Sequence, residues 1–258
     1  MQGYYNKFTM KPFLFVTDLD YTLVGDNKSL AEINEKLEQY RQRSLIKIVY
    51  ATGRSLTLYQ ELTTEQTLLP PDALIAAVGT EIYDNTSNQP NTNWSKFIST
   101  GWNRDLIIDI TNKFPQLLPQ AASEQRPFKI SFFLDTESAN KILPELESLL
   151  KQNKLETKLI YSGSKDLDII PLRADKGLAV QYLQQQWQIA ANQTVVCGDS
   201  GNDIALFKLE QVRGIIVGNA RPELRQWHEN NPNNHRYLAK AYCAGGILEG
   251  LKHFDLLN

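Results

Sequence analysis

Apolar residues recur along this chain with two different periods, and the way they alternate lays out most of the fold. Phe13, Leu14, Phe15 and Val16 form a short aromatic and β-branched run, the pattern of a strand buried on both faces. A turn-like stretch follows over 24–28. Ser29 and Glu32 then have capping-box spacing, ahead of Leu30, Ile33, Leu37 and Tyr40 on one helical face. A second strand over 46–51 runs into Thr52-Gly53-Arg54-Ser55, and a helical pattern continues to about residue 66. Pro70-Pro71 interrupts the chain, and a third buried strand over 74–78 ends at Gly79-Thr80-Glu81. Strand, helix, strand, helix, strand is the signature of a doubly wound sheet.

From about residue 86 the composition shifts. Residues 85–93 are rich in Asn, Ser, Thr and Pro and read as a linker. Trp102, Leu106 and Ile110 mark one face of a helix. Over 128–134 the period becomes two, with Lys129 and Ser131 on one face of a strand and Ile130 and Phe132 on the other. A helix over 138–151 and strands over 159–161 and 167–170 complete a small α+β unit. After Pro171 the first pattern resumes. A helix opens at Lys176, and a strand over 194–197 ends in Gly198-Asp199-Ser200-Gly201-Asn202-Asp203. A short helix over 204–209, a strand over 214–217 and helices over 222–229 and 245–254 follow. The expected fold is α/β, with a doubly wound parallel-sheet (Rossmann-like) core from 1–86 and 172–258 and a smaller α+β domain inserted at 87–171.

Composition narrows the function. With 258 residues and 42% hydrophobic content, the chain can bury one large or two modest cores. A net charge of −2 without any basic run argues against nucleic acid and anionic membrane as partners. No apolar stretch is long enough to span a bilayer. Residues 1–11 are polar, lack the apolar region of a secretory leader, and read as a loose extension with Met10 as an alternative start. The two cysteines, Cys197 and Cys243, read as reduced thiols of a cytoplasmic protein.

The candidate chemistry begins where the first strand ends. Asp18 and Asp20 point the same way if the backbone stays extended that far, and paired carboxylates repel unless a cation joins them. Oxygen ligands favour a hard divalent ion, Mg²⁺ before Ca²⁺. A capped loop opening a helix would use the same residue types. Three further polar features answer that reading: Thr52 follows a strand, Lys176 begins a helix, and Asp199 and Asp203 flank a glycine-containing turn after another strand. All lie at or beside the carboxyl ends of predicted strands, where a doubly wound fold builds its ligand crevice. There Asp18 can act as a nucleophile toward phosphorus and Asp20 can protonate a leaving alkoxide and later deprotonate water. Thr52 can bond a phosphoryl oxygen, and Lys176 can neutralise charge beside it.

The order Asp18-Leu19-Asp20-Tyr21-Thr22, Thr52, Lys176 and Gly198-Asp199-Ser200-Gly201-Asn202-Asp203 resembles the four motifs of the haloacid dehalogenase superfamily. The insert between the second and third motifs is similar to the C2-type cap of its sugar phosphatases. The resemblance implies an Mg²⁺ site formed by Asp18, Asp20 through its carbonyl, and Asp199, with Asp203 either supporting the ion or orienting Lys176. Gly53, Arg54 and Asn202 join Thr52 and Lys176 as candidates for the phosphate. Longer strings look like the sucrose-6-phosphate phosphatases of cyanobacteria and plants: Ala77-Val78-Gly79-Thr80-Glu81-Ile82-Tyr83, Gln125-Arg126-Pro127-Phe128-Lys129-Ile130-Ser131, Asp166-Leu167-Asp168-Ile169-Ile170-Pro171 and Ala244-Gly245-Gly246-Ile247-Leu248. Leu172 departs from that pattern, which has Gln before Arg173. By the same resemblance Lys129, Asp166 and Asp168 in the cap, with Glu81 from the core, bind the sugar. The implied partners are a small-molecule substrate, sucrose 6-phosphate, and sucrose phosphate synthase, the chain itself being a monomer. Two alternatives stay open. One is a phosphatase of trehalose phosphate or mannosylphosphoglycerate; the other is a silent phosphatase-like module that binds the synthase, which predicts loss of Asp18, Asp20, Lys176 or Asp199, all present here.

Overall fold

A computed structural model describes residues 12–84 and 87–257; the expected N-terminal extension with Met10, and Asn85 and Thr86 of the expected linker, lie outside the described residues. The first strand, β1 (Phe13–Thr17), is buried throughout and alternates between two apolar layers. Phe13 and Phe15 pack with Ile33, Leu37 and Ile247, whereas Leu14 and Val16 pack with Val180, Leu206 and Leu224. Helix α1 (Asn27–Gln42) starts earlier than the capping-box spacing predicts. Asp26, not Ser29, is its N-cap and accepts the Lys28 N–H at 3.2 Å, while the Ser29 hydroxyl donates to the same carboxylate. Strand β2 (Ile46–Ala51) and helix α2 (Leu56–Glu65) follow as expected, the helix capped by Ser55.

Strand β3 (Ala73–Ala76) stops two residues before the expected end. Ala77, Val78 and Gly79 turn into left-handed backbone, with φ of 50°, 59° and 93°. Such a conformation is rare for a β-branched residue and persists only where its surroundings hold it. Here the Ala77 and Val78 N–H groups donate to the carbonyls of Arg54 (2.8 Å) and Thr52 (3.1 Å), tying this bend to the loop after β2. Strand β4 (Glu81–Asp84) then pairs antiparallel with β3 at the sheet edge.

Helices α3 (Thr92–Ile98) and α4 (Arg104–Thr111), strands β5 (Leu118–Pro119) and β6 (Ile130–Phe133), helix α5 (Thr136–Gln152), and strands β7 (Thr157–Ser162) and β8 (Asp166–Pro171) come next. The four strands make an antiparallel sheet in the order β5-β6-β8-β7. Ile130, Phe132, Leu167 and Ile169 face Ile107, Ile110, Leu146 and Leu150 from α4 and α5. The alternate positions, Lys129, Ser131 and Asp168, are buried on the opposite, polar face. The sequence places the start of this domain at 87, but Trp94 and Ile98 of α3 pack into the layer beneath β1 instead, and the Trp94 indole donates to the Gly79 carbonyl at 3.1 Å.

The chain returns through α6 (Lys176–Trp187), β9 (Thr194–Gly198), α7 (Ile204–Phe207), β10 (Arg213–Ile216), α8 (Pro222–Asn230), β11 (Arg236–Leu238) and α9 (Cys243–His253). The main sheet has the order β11-β10-β9-β1-β2-β3-β4, parallel except at β4. From β1 the chain builds outward through β2 and β3, and after the insert it builds the other way through β9, β10 and β11. The strand order therefore reverses beside β1, which opens a crevice at the carboxyl ends of β1, β2 and β9. Both cysteines are free and buried. Among the described residues no helix is long and apolar enough to cross a membrane.

Candidate active site

Asp18 is the first residue beyond β1, and its N–H still bonds the Cys197 carbonyl of β9 at 3.0 Å, so the sheet ladder fixes its backbone. The chain does not stay extended past it. Thr22, Leu23 and Val24 all donate to the Leu19 carbonyl, closing a turn immediately after Asp18. The extended backbone on which the expected shared direction of the two carboxylates depends thus ends here, although both residues line one cleft. Asp20 instead receives a bidentate fork from Arg54, Nε to Oδ2 at 2.8 Å and Nη2 to Oδ1 at 2.7 Å. A planar guanidinium fits a carboxylate in this way and Lys would not.

Lys176, fully buried in the first turn of α6, bridges Asp18 Oδ1 and Asp203 Oδ1 at 2.7 Å each. A buried ammonium is costly unless paired, and two anions hold it charged with its pKa above the usual lysine range despite desolvation. Asp203 also accepts the N–H groups of Asp199 and Ser200 at 3.0 Å on Oδ2. Three of its acceptor sites are therefore committed to Lys176 and to its own loop. Asp199 Oδ1 accepts the Thr22 hydroxyl at 3.2 Å.

The carboxylates of Asp18, Asp199 and Asp203 offer oxygens that lie within 4.8 Å of one another. Burial pushes the Asp18 carboxyl well up, reinforced by Asp203 and Asp199 and opposed by Lys176. Burial and then the Asp203 charge push Asp199 to about 7. Three anions and one cation in a buried pocket leave a charge deficit that a hard divalent ion fits. Because Asp203 is largely committed elsewhere, Asp18 and Asp199 are the donors best placed for such an ion.

The phosphate candidates converge on the same crevice. Thr52 is buried, and its hydroxyl accepts the Arg54 N–H at 3.1 Å, which folds Thr52-Gly53-Arg54 into a tight loop. Asn202 lies across from Gly53, and its Oδ1 is buried without a partner. The polar face of the inserted sheet covers these residues, leaving a cleft of about 330 Å³ lined by Asp18, Asp20, Arg54 and Asp199 below and by Lys129, Asp166 and Asp168 above.

On that upper face Lys129 is 2% exposed and lies between Glu124 (3.0 Å) and Asp168 (3.5 Å), with a long contact to the Gly53 carbonyl at 3.4 Å. Asp168 also accepts the Ser131 hydroxyl at 2.6 Å, and Asp166 accepts Gln120 Nε2 at 3.0 Å. Glu81 does not join them. Its carboxylate accepts Arg126 Nε at 2.8 Å and the Tyr83 hydroxyl at 2.6 Å, away from the cleft, and so links β4 to the insert. The expected reach of Glu81 toward the sugar is corrected accordingly: a buried carboxylate takes the nearest donors, and these are at the domain crossing. Leu172, the departure from the expected string, is 49% exposed in the return crossing.

Sequence reasoning missed Glu124, Gln120, Tyr21 and Arg221, all of which line the cleft. Arg221 had a signal. It lies in the loop after β10, five residues past the strand and at the N-cap of α8, on the same carboxyl edge of the sheet as Asp18 and Asp199, and its N–H donates to the Asp199 carbonyl at 2.7 Å. Glu124 stands immediately before the Gln125–Ser131 string but on no periodic element, so only its contacts reveal it.

Comparison with known proteins agrees with this geometry. The family model for sucrose-6F-phosphate phosphohydrolase matches residues 11–255. A solved structure of the sucrose-phosphatase from Synechocystis sp. PCC6803, in complex with sucrose and phosphate, superposes with a TM-score of 0.89 at 40% identity, covering 95% of this chain and 99% of that one. Sucrose-phosphatase 2 of Nicotiana tabacum is 41% identical over 253 residues, which are 94% of this chain but 59% of the relative; the chain thus spans about three-fifths of that protein. The mannosylfructose-phosphate phosphatase of Agrobacterium fabrum is 36% identical over 250 residues and is covered to 99% of its length. A haloacid dehalogenase-like hydrolase from Bacillus subtilis shares the fold at a TM-score of 0.66 and 18% identity. With its two aspartate loops and buried lysine gathered at the strand-order reversal beneath an inserted polar sheet, the chain belongs to the sucrose-6F-phosphate phosphohydrolase family of the haloacid dehalogenase superfamily.

Proposed function

We propose that the chain is an Mg²⁺-dependent phosphoric monoester hydrolase that converts sucrose 6-phosphate to sucrose and phosphate, with the inserted domain as its cap. The observation that carries the reading is Lys176 bridging Asp18 and Asp203 at 2.7 Å beside Asp199, directly under the polar cap face. Asp18 attacks phosphorus through a carboxylate oxygen, the bond from phosphorus to the sugar oxygen breaks, and an aspartyl-phosphate forms. Asp20 gives its proton to the departing sugar oxygen, then takes one from water, which attacks phosphorus and frees Asp18. Arg54 holds Asp20 in the present geometry, so proton transfer requires that fork to open toward the substrate.

Thr52, Gly53 and Asn202 surround the phosphoryl oxygens, and Lys176 neutralises their charge. Asp18, Asp199 and the Asp20 carbonyl would hold Mg²⁺, with Asp203 in support through Lys176 and the loop. When bound, the ion supplies the positive charge that lets an anionic nucleophile approach an anionic ester. Lys129, Asp166 and Asp168 present one cation and two carboxylates to the hydroxyls of the sugar, and Glu124 and Gln120 join them. The cap excludes water from the transfer and opens for exchange.

The matched mannosylfructose-phosphate phosphatase supports a second substrate, because mannosylfructose phosphate and sucrose 6-phosphate are both phosphorylated fructose-containing disaccharides. Phosphate release in Mg²⁺ from sucrose 6-phosphate, mannosylfructose phosphate, trehalose 6-phosphate, glucose 6-phosphate and fructose 6-phosphate tests the reading. Preference for sucrose 6-phosphate, lost with EDTA, is expected. Preference for mannosylfructose phosphate would move the assignment to the second substrate, and equal rates on all five would remove the specificity while leaving the hydrolase.

A further inference from the structure

Two chain crossings join cap and core, and the second leads directly into the helix that carries Lys176. The crossings touch at Gly79: a Cβ there would collide with the Asp175 carbonyl and lie 2.5 Å from Lys176 N. Asp175 divides its carboxylate between the two domains. Oδ1 accepts the Leu178 N–H at 2.7 Å and caps α6, while Oδ2 pairs with Lys158 Nζ at 2.6 Å. Lys158 belongs to cap strand β7, where it sits opposite Ile170 of β8. Both side chains are mostly shielded, at 25% and 14% exposure. They face a groove of about 520 Å³ on the other side of the crossing, which shares only Asn202 with the cleft. Lys158 therefore lies outside the catalytic cluster, yet it is one residue removed from Lys176 through its partner.

We propose that Lys158 is a positioning residue: its ion pair with Asp175 couples the seating of the cap to the placement of Lys176. The idea rests on the reading of Lys176 as the cation of a phosphoester hydrolase. A charge-assisted bond of this length is directional, and the N-cap it anchors fixes the first turn of α6. Lys176 is in that turn, and its ammonium has to meet two carboxylates at once. When the cap lifts, β7 carries Lys158 off Asp175, the first turn of α6 loses its outer anchor, and the lysine relaxes. Seating the cap restores the anchor, so the phosphate site is fully assembled only under a closed cap.

The test uses the full chain. Lys158→Met removes the charge and keeps the stem. Asp175→Asn keeps an Oδ1 acceptor for Leu178 and removes the ion pair. Each is expected to lower kcat on sucrose 6-phosphate about tenfold with little change in KM, as misplacement of a catalytic group does. The double variant should be no worse than the worse single, and Lys158→Arg should recover most of the rate. Amide exchange at 177–180 should quicken several-fold in Lys158→Met, with β1 and β9 unchanged. Unchanged kcat in both single variants would overturn the proposal, as would losses that multiply in the double variant or unchanged exchange at 177–180. If the wild type hydrolysed no ester, the phosphatase reading would fall by itself, and the exchange comparison would decide the coupling.

Discussion

Among the described residues two lysines are buried between carboxylates, one in each domain, and they are held differently. Lys176 makes two bonds of 2.7 Å, to Asp18 and Asp203, and Asp203 is itself anchored by two backbone N–H groups. Lys129 makes one bond of 3.0 Å to Glu124, a looser contact of 3.5 Å to Asp168, and a long one of 3.4 Å to a carbonyl. The first arrangement comes from loops at strand ends, where backbone geometry fixes every partner. The second comes from one face of an antiparallel sheet, where side chains answer only to their neighbours. A reaction on phosphorus needs fixed charges, whereas recognition of a sugar needs donors and acceptors that can exchange partners with hydroxyls. On the proposed function, the two lysines divide chemistry from recognition.

The sharpest way to break that division is at Lys176. Lys176→Ala is expected to lower turnover on every ester by at least about 10³-fold and to cost about 3–5 kcal/mol of stability, since it leaves buried carboxylates without their cation. Activity assays and chemical denaturation check this, and loss confined to disaccharide phosphates would erase the contrast. Gly79→Ala is next. With φ at 93° and a Cβ driven into the Asp175 backbone, it should destabilise by at least about 3 kcal/mol, read from the denaturation midpoint. A near-normal midpoint would mean that the crossing yields easily and cannot position Lys176.

Lys129→Ala addresses the other side of the contrast. It should lower kcat/KM on sucrose 6-phosphate about 10- to 100-fold, the worth of a lost charged hydrogen bond, while p-nitrophenyl phosphate changes much less. The ratio of the two substrates is read within one preparation, so partial unfolding cancels. Equal losses would move Lys129 out of the sugar site.

The smallest effect concerns Mg²⁺. Asp199 has a folded pKa near 7 against 3.8 for the free side chain. Without a cation the native state keeps a proton that the unfolded chain has lost, so this contribution to stability falls as pH rises through 7. A bound divalent ion favours the ionised form, so in its presence native and unfolded states are both deprotonated here and the trend disappears. The rise in Tm on adding Mg²⁺ should therefore grow from pH 6 to pH 8, and a constant increment would show that Asp199 is not a ligand.

How much of this was legible in the sequence depends on what holds each residue. The buried central strands were legible, because a buried parallel strand must be apolar and its polar follower stands out, whereas the short strands β4, β5 and β11 carry no such apolar run and were not expected. Asp18, Thr52, Asp199 and the helix opened by Lys176 were found that way. The alternation of Lys129 and Ser131 with Ile130 and Phe132 likewise marked the polar cap face. The left-handed bend at Ala77 and Val78 was not legible, since Leu74 to Val78 reads as continuous strand and only the Thr52 and Arg54 carbonyls turn it. The pairing of Asp20 with Arg54 joins residues 34 apart across a turn that periodicity does not encode, and Glu81 follows a partner 45 residues away. Contacts across a domain crossing are set by tertiary geometry, and local pattern carries no trace of them.

The most direct test of the central claim is phosphate release from sucrose 6-phosphate by Asp18→Asn, with circular dichroism to establish that it folds. The amide put in place of the Asp18 carboxylate is not a nucleophile toward phosphorus, and the change removes one charge from an over-acidic pocket. The predicted result is a folded protein whose turnover falls about 10⁴-fold or more. A folded variant retaining a tenth of the wild-type rate would contradict it, because the attack on phosphorus would then come from another group.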